Sequence, residues 1–265
     1  MNFQAVEALV LRQVFLYTRN GVRFVELMFW PTVQLLVWGF LTAYLKSVGG
    51  GAMPWPITYL IGALILWDAL FRSQQGVAIS FLEDVWTRNL LNVFVAPVRT
   101  REYLGAACVV GFLRILVTGT LLAVMAILFY AFNVFDMGLA LIPFYANLLA
   151  FGWGLGMIST ALILRYGQAA EGLAWAVPFL IQPFAAVFYP VGALPEWLQP
   201  VALALPCAHV FEGMRDVLAG KGFPTAHLLW ATGLNVVFLG LAVALFGRML
   251  GVARTRGLLT RFASQ

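Results

Sequence analysis

Apolar residues fall in six long runs separated by short polar connections: 24–45, 57–80, 103–132, 138–164, 172–189 and 228–250. A helix needs roughly 17–25 mostly apolar residues to cross a hydrocarbon core about 30 Å thick, so each run predicts a spanning helix. The third and fourth are long enough to tilt or to project beyond a bilayer. No internal repeat, heptad or low-complexity tract interrupts the pattern. The expected fold is all-α, one polytopic membrane domain over residues 1–265 with six transmembrane helices.

Three segments outside the runs carry further information. Residues 1–21 place Val6, Val10, Val14 and Tyr17 on one side of a helix and Arg12 and Arg19, seven apart, on another, with Leu9 and Leu16 flanking the arginines. This predicts an amphipathic helix in the headgroup region with its cations toward phosphates. The segment FLEDVWTRNLLNVFVAPVRTRE (81–102) is too polar to span and too apolar for a solvated linker. It predicts a short helix ended by Pro97, with Trp86 and Phe94 offered to a partner surface. Residues 190–220 contain Pro190, Pro195, Pro200 and Pro206. Pro195 with Glu196 suits a helix start, and a second helix over 208–219 can be capped by Gly220. Two helices of about 11 or 12 residues cannot cross at 1.5 Å per residue, so a re-entrant hairpin is expected.

Composition strengthens the membrane reading: 62% of the residues are hydrophobic and 10% charged, with a mean hydropathy of +0.91. A soluble domain carries about 25% charged residues, and a core of this size could not hide the excess apolar surface from water. The net charge is +5. In a soluble protein that basicity would raise nucleic acid as a partner, but here it lies in the connections. With both termini in the cytoplasm, the inner side receives ten basic residues (Arg12, Arg19, Arg23, Arg88, Arg99, Arg101, Arg165, Arg254, Arg256 and Arg261) and the outer side three (Lys46, Arg215 and Lys221). That bias predicts the orientation. Asn2, Gln4, Glu7 and Arg12 near the start argue against a cleavable signal.

Charges inside the runs are the candidate chemistry, because such groups are costly in a bilayer and mark functional interiors or structural clasps. Asp68 and Arg72, four apart, are spaced to pair on one helix face. Arg114 has no acid within four positions and is free to snorkel or to pair with Asp68 on a neighbouring helix. Glu212 and Arg215 are spaced to pair in the hairpin, as an anchor or a cargo contact. His209 reads as a packed core residue, and His227 as interfacial. Cys108 and Cys207 fall on opposite sides and should not bridge. Most tryptophans, Trp55 among them, map near span ends, where indole is comfortable. Gly105, Gly111, Gly152 and Gly156 permit close helix approach.

Two stretches resemble the ABC-2 family of transporter permeases: FYPVGALPEWLQP (188–200) with Pro206 and FEGMRDVLAG (211–220), and the segment from Glu83 to Pro97 and Glu102. The resemblance covers essentially the whole chain. It implies the transmembrane subunit of an exporter, two copies of which pair in the cell inner membrane and rest on separate ATPase subunits. It further implies an interface helix bearing Arg12 and Arg19, ATPase coupling through Glu83, Asp84, Trp86, Thr87, Arg88 and Asn89, and an outer hairpin bearing Pro195, Glu196, Trp197, Glu212 and Arg215. The family moves drugs, lipid-linked glycans and other amphiphiles. ATP and magnesium would sit on the partner; this chain is expected to bind no cofactor and no metal and to be no enzyme itself. No Gly-x-x-x-x-Gly-Lys-Ser/Thr loop occurs, and AGKGF (219–223) lacks both spacing and hydroxyl. Two other classes stay open on the residues alone. An ion-coupled transporter would need inverted repeats, and a membrane-embedded enzyme would need paired intramembrane acids or a Ser/His or metal cluster.

Overall fold

The computed structural model describes residues 2–48 and 58–255, so Trp55, Arg256, Arg261 and the first residue of the second apolar run lie outside the described residues, as do the side chains of Lys46, Phe94 and Arg254. The described residues are all-helical: α1 (Phe3–Thr18), α2 (Gly21–Val48), α3 (Thr58–Trp86), α4 (Leu90–Val95), α5 (Thr100–Tyr130), α6 (Leu141–Tyr166), α7 (Gly172–Ile181), α8 (Gln199–Leu203), α9 (Pro206–Leu218) and α10 (Thr225–Thr255). Among the described residues four stretches are long and apolar enough to cross a membrane: Gly21–Tyr44, Thr100–Tyr130, Val134–Tyr166 and Thr225–Ala253. α3 has the length but carries Asp68, Arg72, Glu83 and Asp84.

That polar helix is the axis of the fold. From Tyr59 to Val85 it is buried almost all round, packed between α5 and α6. Small residues make the fit possible. A Cβ on Gly76 would stand 2.3 Å from the Gly111 Cα of α5, and one on Gly152 of α6 would stand 2.6 Å from the Leu70 carbonyl oxygen. Gly156 meets the Gln74 carbonyl oxygen at 2.7 Å in the same way, whereas Gly105 faces open space. With no hydrophobic drive between helices in lipid, such close backbone contact is a main source of association.

Contact order along the helices gives their directions. Thr118 meets Asp68 and Tyr103 meets Asp84, so α5 runs antiparallel to α3. Gly152 and Gly156 meet successive turns of α3, so α6 runs parallel to it. Asn235 meets Asn147, and the Phe238 and Phe151 rings lie 5.1 Å apart, so α10 runs parallel to α6. α7 runs against α3: its Ala174 carbonyl accepts from Gln74, and Phe179 lies against Phe71.

The fifth apolar run differs from expectation. It is helical only over Gly172–Ile181 and then breaks into turns. Pro178 lies inside α7 and Pro183 just beyond it, so two amide donors are missing where the helix would continue. The hairpin also starts later than expected. Pro195 to Leu198 forms a turn, closed by the Leu198 N–H on the Pro195 carbonyl at 2.8 Å, and the helix proper begins at Gln199 with Pro200 in its first turn. α9 opens at Pro206, and Gly220 follows it with a left-handed φ of 75°.

Candidate functional site

α3 concentrates the chain's buried polar groups at two levels. At mid-height Arg72 Nε donates to Asp68 Oδ1 at 3.2 Å, and its Nη1 donates to Gln75 Oε1 at 3.2 Å. The other Asp68 oxygen accepts from Thr118 Oγ1 of α5 at 2.8 Å. Asp68 and Arg72 are 5% and 6% exposed, so the pair is internal. Ser73 donates to the Leu149 carbonyl and Gln74 to the Ala174 carbonyl, extending the polar layer to α6 and α7. Arg114 does not join Asp68; Thr118, one turn further along α5, is the α5 residue that does. Its Nη1 reaches the Gln75 carbonyl at 3.4 Å, and its guanidinium stacks over the Tyr17 ring at 4.8 Å. Its Nε and Nη2 are buried with no hydrogen-bond partner.

At the far end of α3, Glu83 and Asp84 are 5% and 2% exposed. They face inward and bind the N-terminal segment instead of an outside partner. Asp84 takes Arg12 at 2.8 Å and the Tyr103 hydroxyl at 2.9 Å; Glu83 takes Arg23 at 3.1 Å and the Tyr17 hydroxyl at 3.4 Å. Burial pushes the Tyr17 hydroxyl above its usual pKa, and the Glu83 carboxylate adds to that, while Arg114 and Arg23 pull the other way. Arg12 is thus tied to the bundle through Asp84, while 31% of its side chain stays exposed. The start of α1 is fixed too: Glu102 of α5 accepts from the backbone N–H of Asn2 at 2.7 Å and of Arg99 at 2.9 Å. Gln13 is 3% exposed and turned into the bundle, while Phe3, Leu11 and Phe15, at helical spacing, are exposed on the outer side of α1.

Beyond the acid pair the chain turns outward. Trp86 is 45% exposed, Thr87 and Arg88 are exposed, and Asn89 is half-buried. Arg88 adopts a left-handed φ of 54°, and the Asn89 N–H returns to the Asp84 carbonyl at 2.9 Å. A tight corner therefore joins α3 to α4. Four of the six residues expected to face an ATPase stand on that corner, and the two acids stand behind it.

At the opposite end Arg215 is 6% exposed and works as a clasp. It donates to the Ala186 carbonyl at 2.9 Å, the Val187 carbonyl at 3.3 Å and Glu212 at 3.1 Å; Glu212 also accepts from the Val191 N–H. Ala186 has a φ of 50°, a conformation disfavoured for alanine, and Arg215 holds it there. Among the hairpin's other expected residues, Trp197 is 75% exposed and Glu196 is exposed. His209 is buried and donates from Nε2 to the Leu203 carbonyl at 2.9 Å, and His227 meets Asp216 at 3.4 Å. Cys108 and Cys207 are both free.

Sequence reasoning missed Tyr17, Arg23, Tyr103 and Thr118. Their partners are 66, 60, 19 and 50 residues away, beyond any local pattern. The pairs Asp68–Arg72 and Glu212–Arg215 were readable, because helical spacing places them together. Among the described residues no group of three metal-ligating side chains comes together.

The arrangement is a bundle with charged pairs buried inside, large apolar side chains exposed outside and an exposed corner at Trp86, Thr87 and Arg88. That is the form of a membrane-embedded protein, and the comparisons agree. The capsule polysaccharide export inner-membrane protein CtrC of Neisseria meningitidis serogroup A is 23% identical over 261 residues, covering 91% of this chain and 89% of the relative. The family model for the ABC-2 type transporter matches residues 4–219, from α1 through the hairpin, and the chain accordingly belongs to the ABC-2 type transporter family as a multi-pass membrane permease.

Proposed function

We propose that this chain is the permease subunit of an ABC exporter that moves a polysaccharide or glycan-bearing amphiphile across the inner membrane, driven by an ATPase on separate subunits. The observation that carries the reading is the family match over residues 4–219. The similarity to a capsule polysaccharide export protein favours a glycan among the family's cargoes.

The topology in this reading has six traverses with both termini in the cytoplasm. Support comes from helix directions: α6 and α10 run the same way, so the segment between them must return the chain, with α7 and the hairpin supplying that leg. The ten-to-three basic bias supports the orientation. The corner Trp86, Thr87, Arg88 and Asn89 is then cytoplasmic and is the contact for the ATPase. Glu83 and Asp84 act as positioning residues that lock α1 and α2 to the same corner. A displacement there travels along α3, which the glycine contacts hold rigidly between α5 and α6. The Asp68–Arg72–Thr118 group braces the helix at mid-height. ATP and magnesium belong to the partner. A second identical copy completes the membrane unit, because closed twofold pairing is the common solution.

The test is purification of the tagged chain in mild detergent from its native cells, with co-purifying subunits identified and ATP hydrolysis assayed. A stable complex whose hydrolysis drops on combined Trp86→Ala and Arg88→Ala substitution, with assembly intact, supports the reading. A complex with unchanged hydrolysis removes the corner assignment. Failure of any ATPase to co-purify removes the exporter assignment.

A further inference from the structure

The elbow between α1 and α2 encloses an open cavity of about 440 Å³, lined by Arg12, Phe15, Leu16, Arg19, Asn20 and Arg23. Three of the six lining residues are arginines and none is acidic. The carboxylates that pair with Arg12 and Arg23 are those of Asp84 and Glu83, buried behind the wall. Arg19 makes no ion pair among the described residues; its guanidinium lies over the Phe15 ring at 4.9 Å. Asn20 spends its oxygen on the Val22 and Arg23 N–H groups, which leaves its amide nitrogen as a further donor. The cavity wall is therefore rich in N–H donors and poor in acceptors. Guanidinium forks in that setting match the oxygens of a phosphate.

The surroundings are mostly apolar, with Glu26 an exposed acid one turn beyond Arg23. Phe15 and Leu16 belong to the wall itself, Leu11 is exposed one turn before Phe15, and α2 continues from Arg23 with Phe24, Val25, Phe29 and Trp30 exposed. A soluble phosphate would leave that strip unused, whereas an acylated one would cover it. We infer that the α1–α2 elbow binds the phosphodiester headgroup of an anionic glycerolipid, with Arg19 as its principal contact, Arg12 and Arg23 as flanking donors, and the acyl chains along α2. This rests on the membrane location of α2 and is independent of cargo and ATPase.

The test uses the full chain, purified without the ATPase, and native mass spectrometry with phosphatidylglycerol, with phosphatidylcholine of the same acyl chains, and with inorganic phosphate. Phosphatidylglycerol should bind in preference to phosphatidylcholine and weaken as salt rises. Arg19→Gln should lower its affinity about fivefold, the factor for one basic residue at an anionic lipid surface. Arg248→Gln, on an exposed part of α10, should leave it unchanged. Equal binding of the two lipids, or an unaltered affinity and salt slope in Arg19→Gln, overturns the site. Displacement of the lipid by millimolar inorganic phosphate overturns the lipid assignment and makes the elbow a site for soluble phosphate. Because no nucleotide or ATPase enters the measurement, a negative result here leaves the exporter reading standing.

Discussion

α3 and α10 are similar in length and opposite in logic. α3 carries Asp68, Arg72, Ser73, Gln74, Gln75, Glu83 and Asp84 and is buried on nearly every side. α10 is more apolar, with a mean hydropathy of 2.2 over an 18-residue stretch within Thr225–Ala253, yet most of it is exposed. A stripe at Leu228, Ala231, Asn235, Ala242, Phe246, Leu250 and Ala253, joined by the half-buried Phe238 and Leu239, meets the bundle at the three-to-four-residue spacing of one helix face. In water the assignment would be reversed. Here the apolar helix faces lipid, and the polar helix is enclosed where its groups find partners.

The comparison breaks most severely at Asp68. Removing that carboxylate by Asp68→Leu leaves Arg72 and Thr118 facing each other with no acceptor between them. Breaking one side of a buried pair costs about 3–5 kcal/mol. Thermal unfolding in detergent should show a much lower midpoint, and Asp68→Leu with Arg72→Met should recover part of it. Arg248→Leu on the exposed side of α10 should leave the midpoint unchanged. A large loss there would mean that the lipid-facing reading of α10 fails.

Steric substitutions sharpen the same contrast at a smaller scale. Gly152→Leu puts its Cβ within 2.6 Å of the Leu70 carbonyl oxygen, and backbone cannot yield as a side chain can. Overpacking of this kind costs about 1–3 kcal/mol. Gly240→Leu on α10 has nothing within 4 Å and should be tolerated. Folded yield by size-exclusion chromatography separates the two. Equal tolerance would show that α3 and α6 are less tightly fitted than their contact implies.

How far this architecture was legible depends on whether the partners were local. Run length alone located α2, α5, α6 and α10, because a bilayer imposes its thickness on the sequence. Run length also located the start of α7, but not its early end, since a count of apolar residues ignores the amide donors that Pro178 and Pro183 lack. The pairs Asp68–Arg72 and Glu212–Arg215 could be read from spacing. The binding of Arg12 and Arg23 by Asp84 and Glu83 could not, because nothing local specifies which distant carboxylate a basic residue will meet. That blind spot is why the two acids read as an outward contact when they hold the N-terminal segment inward.

One polar residue on the inner stripe of α10 offers an intermediate test. Asn235 donates to the Asn147 carbonyl at 3.0 Å and to its side-chain oxygen at 2.9 Å. Interhelical hydrogen bonds in membranes contribute about 0.6 kcal/mol on average and up to about 1.7. Asn235→Leu should therefore lower the unfolding midpoint less than Gly152→Leu. A loss as great as that of Asp68→Leu would mean that α10 depends on polar contact as heavily as α3 does.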